Sequence, residues 1–258
     1  MSSRTAVARA VAWRTIHNTF STPAGIIPSL IPPLFFLAAF SGGLSTVAGL
    51  PHFNYPAGYT SFVYGFAFLQ AATLAGVFTG FGVARDFDSG FAKRLLVSAP
   101  ARGGIILGYV IAAIARWIAA GSVVTIAALM AGAHITAGTG DLLALIAVGL
   151  LANIFSALWA CGTAMFLRTE QAGALIQLPV FVLLFLAPVY VPLTLISGWV
   201  HTVATINPAT IPLEAIRGLI AGSPTKIALT FAILAAGILL TGIWARRGLT
   251  AAEAAAAT

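Results

Sequence analysis

Side chains that could do chemistry are few in this sequence and lie far apart. Its 258 residues include six acidic side chains and four histidines, and the histidines fall in four separate segments without the spacing of metal ligands. The chain has no GxxxxGK[ST], HExxH or GxSxG pattern, the motifs of phosphate binding, zinc catalysis and acyl transfer. We therefore predict no catalytic residue, no metal site and no cofactor site in this chain. Its acids are too dispersed for a lipid-modifying membrane enzyme.

The composition predicts a membrane protein. Only 7% of the residues are charged and 60% are hydrophobic, whereas a soluble domain is roughly 25% charged. This excludes a soluble domain and a disordered chain, and the single Cys161 excludes a disulfide scaffold. Because the uncharged runs are continuous rather than alternating, we predict an all-α integral membrane protein with six transmembrane helices.

The gaps between charged residues outline the predicted spans. A single transmembrane domain over 25–245 would contain spans at about 25–48, 58–83, 105–133, 142–167, 171–196 and 226–245. The segments outside the spans would be an N-terminal segment at 1–24 that could form an interfacial helix, a cytoplasmic loop at 84–104, an outer re-entrant segment at 197–225 and a cytoplasmic tail at 246–258. Pro28, Pro32 and Pro33 predict a first helix that is kinked or starts late.

The basic residues predict the orientation of the chain. With an even number of spans both termini lie on one side, and ten basic residues fall on that side against two, Arg217 and Lys226, on the other. Cytoplasmic loops of membrane proteins carry such an excess of Lys and Arg. Both termini should therefore be cytoplasmic, and the net charge of +7 does not call for nucleic acid as a partner.

The cytoplasmic loop contains a short amphipathic pattern. Phe87, Phe91 and Leu95 recur at every fourth position and would share one face of a helix. Acidic residues, Asp86 and Asp88, lie near its start and basic residues near its end, as the helix dipole favours. Two interpretations remain open: the helix lies on the membrane surface, or its apolar face docks into a groove on a soluble partner.

The outer segment is too apolar for an exposed loop. Asn207-Pro208 predicts a turn, and the sequence around it predicts short helices folded back toward the membrane and covered by protein. Glu214 and Arg217 are three residues apart and would pair on one helix face. We expect this pair to be structural.

Arg116 interrupts the third apolar run. At mid-bilayer its charge would cost roughly 2.5–3.5 kcal/mol or more. We therefore expect it to reach the inner face or to pair with an acid, Glu170 or Asp86. Our hypothesis is that Arg116 and Glu170 belong to a cytoplasmic charge network.

Amide and aromatic side chains inside the spans allow two interpretations. Gln70, Asn153 and Gln177 each lie within a predicted span, with Phe66 and Phe181 on the same strips. They could form the walls of a substrate path. They could equally serve helix packing through small and amide residues.

Two motifs carry a resemblance to a known family. The first combines Asp88-Ser89-Gly90 with Lys93-Arg94-Leu95-Leu96, and the second combines Asn207-Pro208 with Glu214-Ala215-Ile216-Arg217. In this order and spacing they resemble the ABC transporter type-2 permease family, and most closely its drug-resistance permeases of the daunorubicin-exporter type. The resemblance covers about 81–222.

The resemblance implies a role for each segment. Asp86, Asp88, Gly90, Phe91, Arg94 and Leu95 would belong to a coupling helix in a cleft of a separate ATPase subunit, and Asn207, Pro208, Glu214 and Arg217 to an outer gate. Two ATPase copies would hold the ATP and Mg, and a second permease chain, identical or homologous, would complete the path. The expected setting is the bacterial inner membrane.

The resemblance also implies a class of cargo. The complex would export amphipathic or hydrophobic drugs or lipids, because the outer loops are short and the spans lack charge. Alternatives are export of a polysaccharide or lipid-linked glycan, and an ion-coupled secondary transporter. The last would need an intramembrane carboxylate, and no Asp or Glu lies well inside a predicted span.

Overall fold

The computed structural model describes residues 3–49 and 53–256. Part of the connection between the first two predicted spans and the extreme ends of both terminal segments lie outside the described residues. Within the described ranges the chain is helical and contains no strand, which confirms the prediction of an all-α integral membrane protein. Five of these described helices are long and apolar enough to cross a membrane.

Ten α-helices follow one another along the described chain. They are α1 (Ser3–Phe20), α2 (Pro23–Gly43), α3 (Gly58–Asp88), α4 (Phe91–Ser98), α5 (Gly103–Met130), α6 (Thr139–Leu167), α7 (Gly173–Phe185), α8 (Gly198–Ile206), α9 (Thr210–Ile220) and α10 (Ile227–Ala256). Short 3₁₀ turns at Ser45–Gly49, Glu170–Ala172 and Leu193–Leu195 join some of them.

Helix α3 is the central element, and it is buried along most of its length between α2, α5, α6, α7 and α9. Glycines allow α6 to approach it closely. A Cβ at Gly76 would lie 2.2 Å from Ser156 Oγ, and one at Gly80 would lie 2.4 Å from the Ala160 Cβ. Without a hydrophobic force between helices in lipid, such close backbone contact supplies much of the packing energy.

Helix α1 lies alongside the first half of α5. A Cβ at Gly104 would lie 2.6 Å from the Arg4 carbonyl oxygen, and one at Gly108 would lie 2.6 Å from Val11 Cβ. Val11 is buried by this contact, whereas Trp13 is 72% exposed on the opposite side. The N-terminal segment therefore forms a helix with one face on α5 and an aromatic face turned outward.

The first apolar helix begins early. Helix α2 starts at Pro23 and continues through Pro28, Pro32 and Pro33, so the expectation of a late start is wrong. Proline suits the first turn of a helix, since the missing N–H would have no partner there. The 21 residues of α2 are about the number that cross the hydrocarbon core.

The fifth predicted span differs most from the structure. Helix α7 ends at Phe185, and the chain continues irregularly through Pro188 and Pro192, which cannot donate the hydrogen bonds of a continuing helix. Thirteen residues span only about 20 Å, less than the roughly 30 Å hydrocarbon core. A single helix over 171–196 is therefore not formed. The final helix, α10, continues past the predicted end of the sixth span at residue 245 and reaches Ala256.

Candidate coupling and gate sites

An arginine in the second half of α1 connects four helices. Arg14 donates two hydrogen bonds to the Asp86 carboxylate, at 2.8 and 2.9 Å. Tyr109 of α5 donates a third to the same carboxylate at 2.8 Å. The Arg14 guanidinium carbon also lies 3.6 Å from the centre of the Phe91 ring. Arg14 thus ties α1 to α3 and α5 and to the first residue of α4.

The larger apolar side chains of α4 pack against the long helices α3 and α10. Gly90 adopts φ +73°, the left-handed conformation that glycine favours, and so redirects the chain between α3 and α4. Ala92 and Leu96 are buried, and Phe91 and Leu95 are half-buried. Phe87 is buried at the end of α3.

The predicted docking face of this segment is therefore turned inward. Phe87, Phe91 and Leu95 do not form a free apolar stripe, because the turn at Gly90 separates Phe87 from α4 and α4 rests on the long helices. The outward face carries Lys93, Arg94 and Val97 instead. All three are exposed, with Val97 at 71%.

The neighbouring acids also have partners within the chain. Asp88 accepts a hydrogen bond from the Glu170 backbone N–H at 2.6 Å, and the Glu170 side chain pairs with Arg85 at 2.8 Å. Both contacts are exposed and connect the end of α3 to the turn before α7. The acids near α4 thus join parts of the membrane domain to one another.

Arg116 does not contact Glu170 or Asp86, so the predicted pairing is wrong. It is 6% exposed, donates to the Thr19 hydroxyl at 2.8 Å and donates to the Gly25 carbonyl oxygen. Glu170 and Asp86 are occupied by Arg85 and Arg14. The long side chain of Arg116 reaches the turn between α1 and α2, where two oxygen atoms take the place of a carboxylate.

Near the other end of α3 from Asp86, Arg217 of α9 is enclosed by backbone oxygens. Only 5% exposed, it donates to the carbonyls of Phe62, Pro188 and Val189 at 3.1, 2.7 and 2.9 Å. Its guanidinium carbon lies 3.4 Å from the centre of the Phe62 ring. The irregular chain after α7 is thereby held against α3.

The predicted ion pair between Glu214 and Arg217 is wrong. Glu214 pairs at 2.7 Å with Lys226, which immediately precedes α10, while Arg217 faces the interior. Tyr55 donates to the Arg217 carbonyl oxygen at 2.8 Å. Burial raises the pKa of the Tyr55 hydroxyl, despite the nearby Arg217 guanidinium, so this donor stays protonated.

Asn207 fixes the turn between α8 and α9. Its side-chain NH₂ donates to the Leu183 carbonyl at 2.7 Å, and its side-chain oxygen accepts from the Ala209 backbone N–H at 2.9 Å. The second contact is the local turn that asparagine favours. Pro208 lines an apolar cavity of about 360 Å³ between α3, α6, α7, α9 and α10.

Some of the predicted path residues are fully buried, and the others are only half-buried. Phe66 and Gln70 are fully buried, and Asn153 donates to the Ala72 carbonyl at 2.9 Å, which is a packing contact between α6 and α3. The Gln70 amide is buried without a hydrogen-bond partner among the described residues. Gln177 and Phe181 are half-buried on α7, where Phe181 stacks on Phe185 with ring centres 5.6 Å apart.

These features define a multi-pass α-helical membrane protein with short helices packed at the ends of its long ones. A model of the ABC-2 type transporter family matches residues 7–221, which include α9 and both motifs. The chain belongs to the ABC-2 type transporter family. No curated protein matches this chain. Members of this family are transport membrane subunits, and membership implies an ATPase partner.

Proposed function

We propose that this chain is the permease subunit of an exporter for amphipathic or hydrophobic small molecules. The energy would come from ATP and Mg bound by a separate ATPase subunit, because the chain carries no phosphate-binding motif. The observation that carries this proposal is the placement of α4. It is a short helix beyond the end of a long apolar helix, with a charged outward face and an inward face fixed to the membrane domain.

Arg14 supplies a route from α4 to the long helices. A force on α4 would act on the Phe91 ring beneath the guanidinium and, through Asp86, on α3 and α5. Hydrogen bonds between ionised partners are roughly twice as strong as neutral ones. Movement of the ATPase would therefore shift α1, α3, α4 and α5 together.

The outer helices supply an exit gate in this proposal. Asn207 holds the turn between α8 and α9, and Arg217 ties α9 to α3 and to the irregular chain after α7. A displacement of α3 would then move α9 directly. Glu214 would add a link from α9 to α10 through Lys226.

The apolar cavity favours hydrophobic cargo. Its lining is formed almost entirely by apolar residues, among them Leu69, Phe155, Leu184, Pro208 and Leu240. The Thr73 hydroxyl in this lining already donates to carbonyls of its own helix. The lining therefore offers few hydrogen-bonding partners for a sugar, whereas an apolar ring or acyl chain would bury its surface there. This supports drug-like or lipid-like molecules over a glycan.

The assembly in this proposal contains a second permease chain and two ATPase subunits. Large apolar side chains on α2 and α10, including Phe35, Leu239 and Leu240, are exposed in the isolated chain. Lipid or a second chain would cover them. We place the complex in the bacterial inner membrane with both termini cytoplasmic, on the basis of the excess of basic residues on that side.

A pull-down from mildly solubilised membranes tests the proposal. The tagged chain should retain a nucleotide-hydrolysing subunit, and the double variant Arg94→Glu, Val97→Asp should release it, since both changes lie on the outward face of α4. Arg9→Glu, on an exposed position of α1, is the matched charge reversal and should leave the complex intact. Retention of the ATPase by the double variant would argue against α4 as its contact.

A further inference from the structure

A polar cavity lies where α1, α2, α3 and α5 meet, next to the Arg14–Asp86 contact. Its volume is about 200 Å³, and its lining includes Arg14, Thr15, Thr19, Gly25, Asp86 and Arg116. We propose that this cavity binds a phosphate group, carried into it by the headgroup of an anionic phospholipid.

The charges at the cavity leave one cation uncompensated. Asp86 is fully engaged by Arg14 and Tyr109, and Arg85 at the rim is paired with Glu170. Among the described residues no carboxylate lies within 4 Å of Arg116. A buried cation without an anionic partner is costly, and a bound phosphate would provide that partner.

Two residues that line the cavity each contain a polar atom without a hydrogen-bond partner in the described part of the chain. These atoms are the Nε of Arg116 and the hydroxyl of Thr15, and the two residues are 6% and 7% exposed. Leaving such groups unsatisfied costs about 1–3 kcal/mol each, and more for a charged one. A phosphate oxygen can accept hydrogen bonds from both kinds of donor.

The first turn of α2 also faces the cavity. Ala24 and Gly25 line it, next to the N-terminus of a 21-residue helix. Pro23 has no N–H, and the Gly25 N–H donates to the Thr22 carbonyl, so the helix end contributes through its positive dipole, which favours an anion at this position. This contribution adds to that of Arg116.

The depth of the cavity indicates a lipid as the source of the phosphate. Because α2 is about as long as the hydrocarbon core is thick, its first turn lies at one membrane face. Pro28, Phe78 and Phe81 add an apolar part to the lining, where the glycerol or upper acyl region of a lipid would rest. Basic pockets between membrane helices on the cytoplasmic side, where we place this face, are typical headgroup sites.

Native mass spectrometry of the purified chain tests the site. The chain is mixed with equal amounts of phosphatidylglycerol and phosphatidylcholine in detergent. We expect preferential retention of one phosphatidylglycerol, and a loss of about tenfold in its apparent affinity in Arg116→Gln, comparable to one lost charge-assisted hydrogen bond. Arg9→Gln removes an exposed arginine of α1 outside the cavity and should bind as the unmodified chain does.

Further arms separate the possible outcomes. If inorganic phosphate alone displaces phosphatidylglycerol completely at millimolar concentration, the source is free phosphate and the lipid assignment is overturned. Equal retention of the two lipids would overturn the choice of an anionic headgroup, since phosphatidylcholine also carries a phosphate. Equal losses in Arg116→Gln and Arg9→Gln would overturn the site itself. Thr15→Val removes only the unpaired hydroxyl, so its weaker binding is expected even if Arg116→Gln does not fold.

Discussion

The Arg14 guanidinium carbon lies 3.6 Å from the centre of the Phe91 ring, although the two residues belong to helices at either side of the central α3 in sequence. A cation over an aromatic face is attracted by about 0.5–2 kcal/mol, depending on how well water is excluded. Here the same cation also binds Asp86. The short helix α4 is thereby fixed to the membrane domain by a residue outside the loop that contains it.

Replacement of Arg14 by alanine should weaken this link. The variant loses two hydrogen bonds to Asp86 and leaves that buried carboxylate with Tyr109 as its remaining side-chain partner. We expect a decrease of about 1–3 kcal/mol in the free energy of unfolding, measured by thermal unfolding of the purified chain. Arg9→Ala, on an exposed part of the same helix, should change it by less than about 0.5 kcal/mol. Equal effects of the two variants would contradict the link.

Replacement of Arg217 by lysine should destabilise the protein. The guanidinium reaches three carbonyl oxygens on two segments at once, a geometry that a single ammonium cannot reproduce. Arg217→Lys should therefore lower stability by about 2–4 kcal/mol through lost hydrogen bonds to a charged donor. Lys226→Ala removes a partly exposed ion pair with Glu214 and should cost about 0–1 kcal/mol. A comparable melting temperature for the two variants would show that the buried contacts contribute little.

The contact between α3 and α6 should depend on glycine. A Cβ at Gly76 would lie 2.2 Å from Ser156 Oγ and 2.5 Å from the Ala157 backbone nitrogen, and the backbone atom cannot rotate away. Gly76→Leu should abolish the folded protein in a detergent-extraction assay monitored by size-exclusion chromatography. Gly82→Ala in the same helix meets no atom within 4 Å and should be as stable or slightly more stable. A monodisperse Gly76→Leu protein would contradict this packing.

Filling the apolar cavity should reduce transport without releasing the ATPase. Ala236 of α10 lines the cavity, and the adjacent Ala235 does not, while both are exposed in the chain. Ala236→Trp should lower the ATP-driven accumulation of a hydrophobic dye in vesicles, whereas Ala235→Trp should preserve it. Similar efflux by both variants would indicate that cargo does not use this cavity.

The fold class could be predicted because it depends on composition. With 7% charged residues, the gaps between charges mark where helices can be buried in lipid. The point at which α7 ends could not be predicted from composition alone. The segment 186–197 is as apolar as a span, but Pro188 and Pro192 interrupt it and its carbonyls bind Arg217, a partner that hydropathy cannot supply.

The partners of Arg14 and Arg116 could not be predicted from sequence. The sequence predicts that Arg116 reaches the inner face or pairs with an acid. Its acceptors are instead a hydroxyl near the end of α1 and a carbonyl oxygen in the first turn of α2. No local pattern in the sequence indicates a partner for Arg14, because Asp86 lies 72 residues away. A pattern search compares neighbours in the sequence, whereas these contacts depend on how α1 packs along α5.

Transport in reconstituted vesicles tests the central claim most directly, namely that this chain draws its energy from a separate subunit bound at α4. Vesicles containing the chain and its co-purified ATPase should accumulate a hydrophobic dye against a gradient when ATP and Mg are supplied on the α4 side. Vesicles containing the chain alone should only equilibrate the dye. Uphill accumulation by the chain alone, without any nucleotide-hydrolysing partner, would contradict the account.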